Sequence, residues 1–284
     1  MQRRSFGELA ATLPSFIWLF LFFLIPTVLV LAYVFKPYDV TYGIGEGWTL
    51  DTFCTLMNPS YLVIFWRTLW LSCATTIVCL AISLPVGYFL CQVRPALQKT
   101  FLLLVILPFW SSFLVRIFAW KALLHPEGML KALLVACHLA DADTILLYND
   151  GAVLLVMIYS YLPFAITPVY TAAVKFDFQV IEAARDLGAT ELQAFSRIFL
   201  PGIQRAIPAA LIMVFIPAIG AYVIPDLVGS PESEMIGNKI AQRIFVDRNL
   251  PQACLLSLVL MLAVLVPMAI CAKKYRRSGE EVWI

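Results

Sequence analysis

Six apolar stretches constrain this chain more than any other feature, because each is long enough to cross a lipid bilayer as a helix. They cover approximately residues 16–35, 61–90, 100–122, 152–173, 207–228 and 253–272. Hydrophobic residues make up 62% of the chain and charged residues 13%, whereas a soluble domain is about 45–50% apolar. The sequence therefore predicts an all-α integral membrane protein with six transmembrane helices, forming one domain over residues 1–284.

The distribution of positive charge predicts how these helices are oriented. If both ends of the chain are cytoplasmic, twelve lysine and arginine side chains fall inside and eight fall outside, and such an excess marks the cytoplasmic side. The net charge of +2 gives no indication of a nucleic-acid partner. The first apolar run is long for a signal peptide and no small-residue cleavage site follows it. We therefore expect it to be an uncleaved first span.

The cysteines and histidines predict no metal site. The seven cysteines are scattered without a C-x-x-C motif, and only two histidines are present. Most of the cysteines fall within spans, where cysteine acts as a small apolar residue. Only Cys54 and Cys137 fall in external loops, where they either pair or remain free thiols.

A polar loop over approximately residues 175–205 separates the fourth and fifth apolar stretches, and it carries an unusual density of charge. The spacing of Ile181, Ala184 and Leu187 predicts one face of a short helix. Gly188 follows directly, and glycine suits the left-handed backbone at which many helices end. The first half of the loop is therefore predicted to be a short helix that ends at Gly188.

The second half of the loop has the pattern of another short helix. Thr190 is followed three residues later by Gln193, which is the spacing of a capping box at a helix start. Pro201 is predicted to stop this second helix. Two short helices on the cytoplasmic face of a membrane bundle would form a rigid projection to which another protein could bind.

This loop is similar to the EAA motif of ABC importer permeases. The match comprises Glu182, Ala183, Ala184, Gly188, Ile198, Leu200 and Pro201 at the spacing of that motif. The resemblance implies a type I importer permease with six spans and both ends in the cytoplasm. It also implies that the loop docks on a dimeric ATPase subunit, where ATP and Mg²⁺ are bound, with Glu182 as an ion-pair anchor. The permease chain itself would bind no cofactor and would not be an enzyme.

Three segments extend the resemblance to the polyamine branch of these permeases. They are residues 102–120, 177–201 and 215–237, and with the spacing of the spans the likeness covers most of the chain from residue 61 onward. It implies a subunit in the bacterial inner membrane that imports putrescine or spermidine, small cationic substrates. A second homologous permease and an extracytoplasmic solute-binding protein would be its partners. One departure is Ala221, where that branch often has glutamate.

The fifth apolar stretch contains the strongest candidate for contact with a cationic substrate. Asp226 is the only acidic residue within a predicted span, and Tyr222 lies one helical turn earlier. A carboxylate can replace the lost hydration of an ammonium group, and aromatic faces attract alkylammonium ions. Asp226 could equally cap the loop that follows. Further aromatic candidates are Trp110, Tyr159 and Tyr161. Tyr159 and Tyr161 are two residues apart, so on a regular helix they should point in different directions. For each tyrosine taken singly, packing or an interfacial position is the favoured interpretation.

The third apolar stretch is predicted to be an interrupted helix. Pro108 removes one backbone donor, and the hydroxyls of Ser111 and Ser112 could satisfy the carbonyls that are left free. Arg116 lies in the same stretch, and a charge there should contact protein or water because it is costly in lipid. We favour a structural or snorkelling arginine over a pathway residue, since an unpaired arginine would repel a cationic substrate.

Two external segments have the pattern of short amphipathic helices. In residues 129–139, apolar side chains recur at i, i+3, i+4 and i+7, which predicts a helix lying at the membrane surface or against a partner. In the later segment, Ile236, Ile240 and Ile244 recur every four residues.

Other classes of function fit the sequence less well. No Walker-type phosphate loop is present, so any ATP hydrolysis would come from another subunit. An ion-coupled carrier would leave the charged loop unexplained, and an intramembrane enzyme needs paired catalytic side chains within the spans. The same permease architecture could instead carry thiamine, iron, sulfate or another small solute, and the sequence does not distinguish these cargoes.

Overall fold

The structure is a computed structural model that describes residues 6–40, 42–138, 141 and 143–277. Helices dominate this part of the chain, and none of its residues forms a β-strand. The first helices are α1 (Phe6–Leu19), α2 (Ile25–Val34), α3 (Asp51–Cys54), α4 (Pro59–Gln92), α5 (Pro95–Ile106), α6 (Phe113–Leu124), α7 (Met129–Ala136) and α8 (Asp150–Val174). The remaining helices are α9 (Gln179–Asp186), α10 (Glu191–Ala194), α11 (Leu200–Gly202), α12 (Ala206–Ile219), α13 (Val223–Val228), α14 (Ile236–Phe245) and α15 (Leu250–Arg277).

Within the described residues, three helical stretches are long and apolar enough to cross a membrane: Thr12–Val34, Pro59–Gln92 and Asp150–Val174. They agree with the first, second and fourth predicted spans. Two bent pairs raise the number of candidates to five if each pair counts as one span. They are Pro95–Trp110 with Phe113–Ala136, bent by 95°, and Glu191–Gly202 with Ala206–Ile219, bent by 82°. Leu250–Val266, within the last predicted span, is a shorter apolar helix.

The helix breaks have local causes. Pro26 follows a five-residue π-helical turn, Phe20–Leu24, and the hydroxyl of Thr27 donates to the carbonyl of Phe23 at 2.7 Å. Pro108 lies in the 3₁₀ turn Leu107–Trp110, and the hydroxyl of Ser111 donates to its carbonyl at 2.7 Å. Because proline lacks an N–H, the regular helix ladder cannot pass either position unchanged. The predicted interruption at Pro108 is confirmed, and the Ser111 hydroxyl bonds the carbonyl of Pro108 itself, which also accepts from the N–H of Ser111.

The described chain packs as two compact units, of which one joins the residues up to 62 with those from 239 onward. Its helices α2 and α3 pack against α15. Tyr61 accepts hydrogen bonds from Arg243 at 2.9 Å and from Gln252 at 2.7 Å, and Arg243 forms an ion pair with Asp247. These contacts hold the start of α4 to α14 and to the start of α15. The prediction of a single domain stays a prediction.

The other unit comprises residues 63–238 and is built around α8. Helix α8 packs most extensively against α12 and also contacts α6 and α13. Its N-cap, Asn149, accepts a hydrogen bond from the N–H of Ala152 at 2.8 Å, which starts the helix. One buried cluster includes Leu71, Val156, Met157, Val214 and Ile224, and a second gathers around Tyr88, Val169 and Phe199. The second cluster positions the charged loop.

Several predicted boundaries change in the structure. The amphipathic pattern of residues 129–139 forms α7, which ends at Ala136, while residue 139 lies outside the described residues. The helix predicted from the isoleucine repeat is confirmed as α14. The fifth predicted span is two helices, because α12 ends at Ile219 and α13 begins at Val223. Cys54 and Cys137 are both free and exposed.

Candidate functional site

The charged loop over residues 175–205, called the knob below, folds into short helices between α8 and α12. Helix α9 forms its first half. Its second half consists of α10, the π-helical turn Phe195–Phe199 and α11. The predicted pair of short helices is therefore confirmed, and the knob is structured along almost its entire length.

Gly188 makes the turn between the two halves. Its φ of +91° lies in the left-handed region, which non-glycine residues enter at a cost of roughly 1–2 kcal/mol. The N–H of Gly188 donates to the carbonyl of Arg185 at 2.8 Å, and the N–H of Ala189 donates to that of Ala184 at 3.0 Å. A Cβ added to Gly188 would meet nothing within 4 Å. Glycine is therefore favoured here by backbone conformation and not by lack of space.

A capping box starts the second half, as predicted. The hydroxyl of Thr190 accepts from the N–H of Gln193, while the side chain of Gln193 accepts from the N–H of Thr190. Both bonds satisfy donors that a helix start leaves unpaired. Helix α10 therefore begins at a fixed point, with its N-cap two residues after Gly188.

The second half of the knob ends at Gly202, one residue after Pro201, so the helix end predicted at Pro201 is confirmed to within one residue. Pro201 cannot donate to the carbonyl of Arg197, one turn earlier, and the turn Phe195–Phe199, which ends two residues before it, is π-helical. The wider π turn accommodates the missing N–H of the proline. The same arrangement, a five-residue π turn ending two residues before a proline, occurs at Pro26.

The inner face of the knob is apolar and buried. Ile181, Ala194 and Phe199 are buried in the second cluster, and Ile198 packs at its edge. The resemblance to the importer motif implies that Ile198 and Leu200 pack the second helix back onto the bundle. Both are half-buried, and the fully buried residue between them is Phe199, which the sequence reasoning did not single out.

The outer face of the knob carries exposed side chains, both charged and apolar. Glu182 and Ala183 are exposed, and Ala184 is half-buried. Leu187 was predicted to lie on one helix face with Ile181, but α9 ends one residue before Leu187, and 90% of Leu187 is exposed whereas Ile181 is buried. Leu192 is exposed as well. The exposed side of the knob therefore includes the carboxylate of Glu182 and the side chains of two leucines.

An ion pair joins the two halves of the knob across the turn. Arg185 of α9 pairs with Glu191 of α10, and both groups contact the hydroxyl of Tyr88 on α4. Partial desolvation lowers the pKa of the Arg185 guanidinium, but its bonds to Glu191 and Tyr88 outweigh that effect and hold the pKa above its usual value. The sequence reasoning counted these charges but did not pair them.

The substrate candidates Tyr222 and Asp226 lie on successive turns around α13. The N–H of Asp226 donates to the carbonyl of Tyr222 at 3.1 Å, and that carbonyl also accepts from the side chain of Asn238 at 2.8 Å. Both Tyr222 and Asp226 are exposed. Helix α13 packs against α6 and α8. An exposed carboxylate on a short helix beside an aromatic ring could hold an ammonium group.

The other aromatic candidates lie in different surroundings. Trp110 is largely exposed in its 3₁₀ turn. The ring of Tyr159 packs edge-on against Trp120 at 5.2 Å. Tyr161 is buried, and its hydroxyl donates to the carbonyl of Pro217 on α12 at 3.2 Å. Tyr159 and Tyr161 therefore point in different directions, as predicted, and the contacts of Tyr161 hold α8 to α12.

Arg116 is stacked between aromatic rings. Its guanidinium lies 4.6 Å from the ring centre of Phe109 and 5.8 Å from that of Phe113, and its buried Nε has no hydrogen-bond partner. Cation–π contacts of this kind are worth about 0.5–2 kcal/mol. They support the structural interpretation of Arg116. Across the described residues, no group of three or more histidine, cysteine or acidic side chains could hold a metal ion.

Comparison with solved structures defines the class of this fold. A chain of the bacterial ABC transporter that imports the acidic polysaccharide alginate superposes with a TM-score of 0.79 at 19% identity, covering 97% of this chain and 96% of that one. The same transporter in complex with its alginate-bound periplasmic protein gives 0.77 at 21% identity, with the same coverage. The fold is that of an ABC importer permease.

Sequence relatives define the family. The chain is 35% identical to the spermidine/putrescine transport system permease protein PotB of Haemophilus influenzae over 253 residues, 88% of each protein. It is 31% identical to the PotB protein of Escherichia coli K12, covering 86% of this chain and 88% of that protein. The inner membrane ABC transporter permease protein YdcU of Escherichia coli is 31% identical over 78% of this chain and 74% of that protein. No protein-family model matches the sequence. The chain belongs to the PotB family of spermidine/putrescine transport system permease proteins.

Proposed function

We propose that this chain is the transmembrane subunit of a binding-protein-dependent ABC importer and forms half of a translocation pathway for putrescine and spermidine. The observation that carries the proposal is the 35% identity to a PotB permease over 88% of both chains. The capped, helical knob supports it, because its residues match the importer motif in sequence. As a permease subunit of this family, the chain is a transporter component and not an enzyme.

The knob is proposed to be the contact with a dimeric ATPase. Glu182 and Ala183 present an exposed charged edge, and the exposed Leu187 and Leu192 add apolar surface beside it. Glu182 would form an ion pair with the ATPase, while Ala184, Gly188, Ile198, Leu200 and Pro201 would fix the shape of the knob. ATP and Mg²⁺ would be bound by the ATPase, since this sequence has no phosphate-binding loop.

The topology follows from the proposed role of the knob. Six spans with both ends in the cytoplasm would place the knob inside, where ATP is available, and the excess of positive charge supports this orientation. The third and fifth spans would be the broken ones, and irregular backbone is tolerated at membrane depth where it lines a cavity. The subunit would be a multi-pass protein of the bacterial inner membrane, with its apolar outer surface in contact with lipid.

The pathway requires partners. One such chain cannot enclose a pathway, so a second homologous permease would supply the other half, and an extracytoplasmic binding protein would deliver the substrate.

Asp226 would contact an ammonium group of the substrate, with Tyr222 beside it and Trp110, Tyr159 and Tyr161 as further aromatic candidates. The buried position of Ala221, where the branch often has glutamate, suggests that the second permease contributes other carboxylates.

Two alternative functions can be distinguished by measurements of uptake. The same architecture could carry thiamine, iron, sulfate or another small solute, because the knob is independent of the cargo. A secondary carrier driven by an ion gradient would need neither the knob nor ATP. Uptake that persists without ATP would favour the secondary carrier, and uptake of a different solute would favour the first alternative.

The test is uptake of radiolabelled putrescine and spermidine by cells that lack this chain and any redundant polyamine transporter. Complementation with the wild type should restore uptake, and Glu182→Ala should fail to restore it at equal membrane abundance. Glu127→Ala, which removes an exposed carboxylate outside the knob, is the matched control and should restore uptake fully. Unchanged uptake in the deleted cells would exclude the polyamine function. Full rescue by Glu182→Ala would remove Glu182 as an essential anchor.

A further inference from the structure

Tyr88, at the end of α4 that faces the knob, is enclosed by aromatic side chains of the knob. Only 1% of the residue is exposed. Its ring meets Phe199 edge-on at 4.9 Å and Phe195 edge-on at 5.3 Å, and Phe178 lies at 6.1 Å. Because interiors are close-packed, a side chain held on several sides moves with the groups around it. Tyr88 is therefore the residue of α4 that packs inside the knob.

The hydroxyl of Tyr88 contacts both halves of the knob. It accepts a hydrogen bond from Nη2 of Arg185 at 3.3 Å and donates one to Oε2 of Glu191 at 3.3 Å. Arg185 lies on α9 and Glu191 on α10, and the two are ion-paired across the turn at Gly188. Bonds to charged groups are stronger than neutral ones. A single hydroxyl of α4 is thus tied to both short helices.

Helix α4 is in close contact with α8 beside this point. A Cβ added to Gly87 would lie 2.8 Å from Cγ1 of Val169, which is itself fully buried on α8. The two helices are in direct van der Waals contact at Gly87 and Val169. A displacement of Tyr88 would therefore displace α8 as well. Since α8 also packs against α12 and α13, the contact leads toward the proposed substrate residues.

We propose that Tyr88 is the positioning residue through which movement of the knob reaches the membrane helices during transport. The inference rests on the proposed function, since it takes the knob as the ATPase contact. The aromatic ring anchors α4 in the knob, and the hydroxyl fixes its orientation relative to Arg185 and Glu191. Without the hydroxyl, the ring stays packed, but the orientation of α4 relative to α9 and α10 is no longer fixed, so the knob can turn at Gly188 without turning α4 with it.

The first test compares ATP hydrolysis with putrescine uptake in proteoliposomes containing the complete importer. Tyr88→Phe keeps the ring and removes only the hydroxyl. We expect the number of substrate molecules carried per ATP to fall at least threefold, with ATP hydrolysis and membrane abundance near wild type. Tyr170→Phe is the matched control, because Tyr170 is a half-buried tyrosine of α8 whose hydroxyl lies outside the Arg185–Glu191 contact. An unchanged ratio for Tyr88→Phe would overturn the proposal.

A double-mutant comparison separates this role from general packing. Glu191→Gln removes the charge that the Tyr88 hydroxyl contacts. If both residues act through one contact, Tyr88→Phe combined with Glu191→Gln should lower the ratio no further than the worse single variant. Losses that multiply would show that the two residues act independently, and the proposed link would then be wrong.

A readout that needs no cargo distinguishes this inference from the assignment of polyamines. Cys91 lies three residues after Tyr88 and is half-buried, so its rate of labelling by a maleimide reports movement at the end of α4. The other cysteines would be replaced by alanine. We expect trapping of the ATPase with ATP and vanadate to change the rate at least threefold in the wild type, and Tyr88→Phe to abolish that change.

The possible results of the labelling experiment are distinct. A wild-type change in labelling without putrescine uptake would exclude the cargo and leave the role of Tyr88 standing, provided that Tyr88→Phe abolishes the change. A full change in Tyr88→Phe would overturn the role of Tyr88. The absence of any change in the wild type would overturn it as well.

Discussion

Thr190 and Gln193 form a reciprocal pair of hydrogen bonds at the start of α10. The N–H of Gln193 donates to the threonine hydroxyl at 3.3 Å, and the N–H of Thr190 donates to the glutamine side chain at 3.0 Å. The pair follows Gly188 by two residues, so the turn and the cap together set the direction in which the second half of the knob leaves the first. The stability of this N-cap determines how rigidly the second half of the knob is held when the knob moves.

Replacing Thr190 by alanine should loosen the second half of the knob. Loss of an N-cap side chain costs about 1 kcal/mol, so the amides of α10 should exchange with deuterium about fivefold faster. Thr190→Ser retains the hydroxyl and should exchange at nearly the wild-type rate. Hydrogen exchange of residues 191–194 in the purified protein measures both. Equal protection in Thr190→Ala and the wild type would show that the cap does not hold this helix.

Substitutions at Gly188 should separate backbone conformation from bulk. The φ of +91° is unfavourable for most side chains, although asparagine tolerates the left-handed region better than branched residues do. Because space around the missing Cβ is open, Gly188→Asn should retain much of the polyamine uptake. Gly188→Val should lose most of it, with the protein still reaching the membrane. Comparable uptake by the two variants at equal abundance would contradict this explanation.

The features that were predicted correctly depend on neighbours in the chain. The capping box at Thr190, the turn at Gly188 and the break at Pro108 each involve residues within a few positions of one another. Local chemistry therefore determined them, and the sequence alone was sufficient. The π turn before Pro201 was not predicted although it is also local, because a helix can either widen into a π turn or end where a proline lacks its N–H.

The features that were missed depend on residues far apart in the sequence. Tyr88 precedes Glu191 by 103 positions and Arg185 by 97, and no periodicity of α4 distinguishes Tyr88 from other aromatic residues in the span. The burial of Phe199 likewise follows from how the knob packs against Tyr88 of α4. The sequence pattern indicates an amphipathic helix but not which turn of it lies against the bundle.

Gly202 should tolerate no side chain, since an added Cβ would lie 2.3 Å from Cε2 of Phe176 and 2.8 Å from its Cδ2. Phe176 is itself packed edge-on against Phe178 and Phe199, so its ring cannot withdraw easily. Overpacking of this kind costs about 1–3 kcal/mol. Gly202→Ala should therefore lower the midpoint of thermal unfolding in detergent by several degrees.

A second substitution tests whether the clash with Phe176 is the cause. Gly202→Ala combined with Phe176→Leu replaces the ring by a smaller and more flexible side chain. The combined variant should unfold at a higher temperature than the sum of the two single effects predicts, because the close contact is relieved. Additive losses would place the effect of Gly202→Ala in the backbone and not in the contact with Phe176.

The carboxylate of Asp226 gives the sharpest test of the proposed substrate contact. Asp226→Asn keeps the size of the side chain and removes its charge, so one ammonium group of putrescine would lose its counter-charge. Loss of a charge-assisted contact worth about 1.4 kcal/mol raises an apparent binding constant about tenfold. We therefore expect the KM for uptake to rise about tenfold, with Asp226→Glu recovering part of the loss. Glu232→Gln, an exposed carboxylate on the following 3₁₀ turn, should leave KM unchanged. A normal KM in Asp226→Asn would make Asp226 a loop residue and place the counter-charge for the substrate on the partner permease.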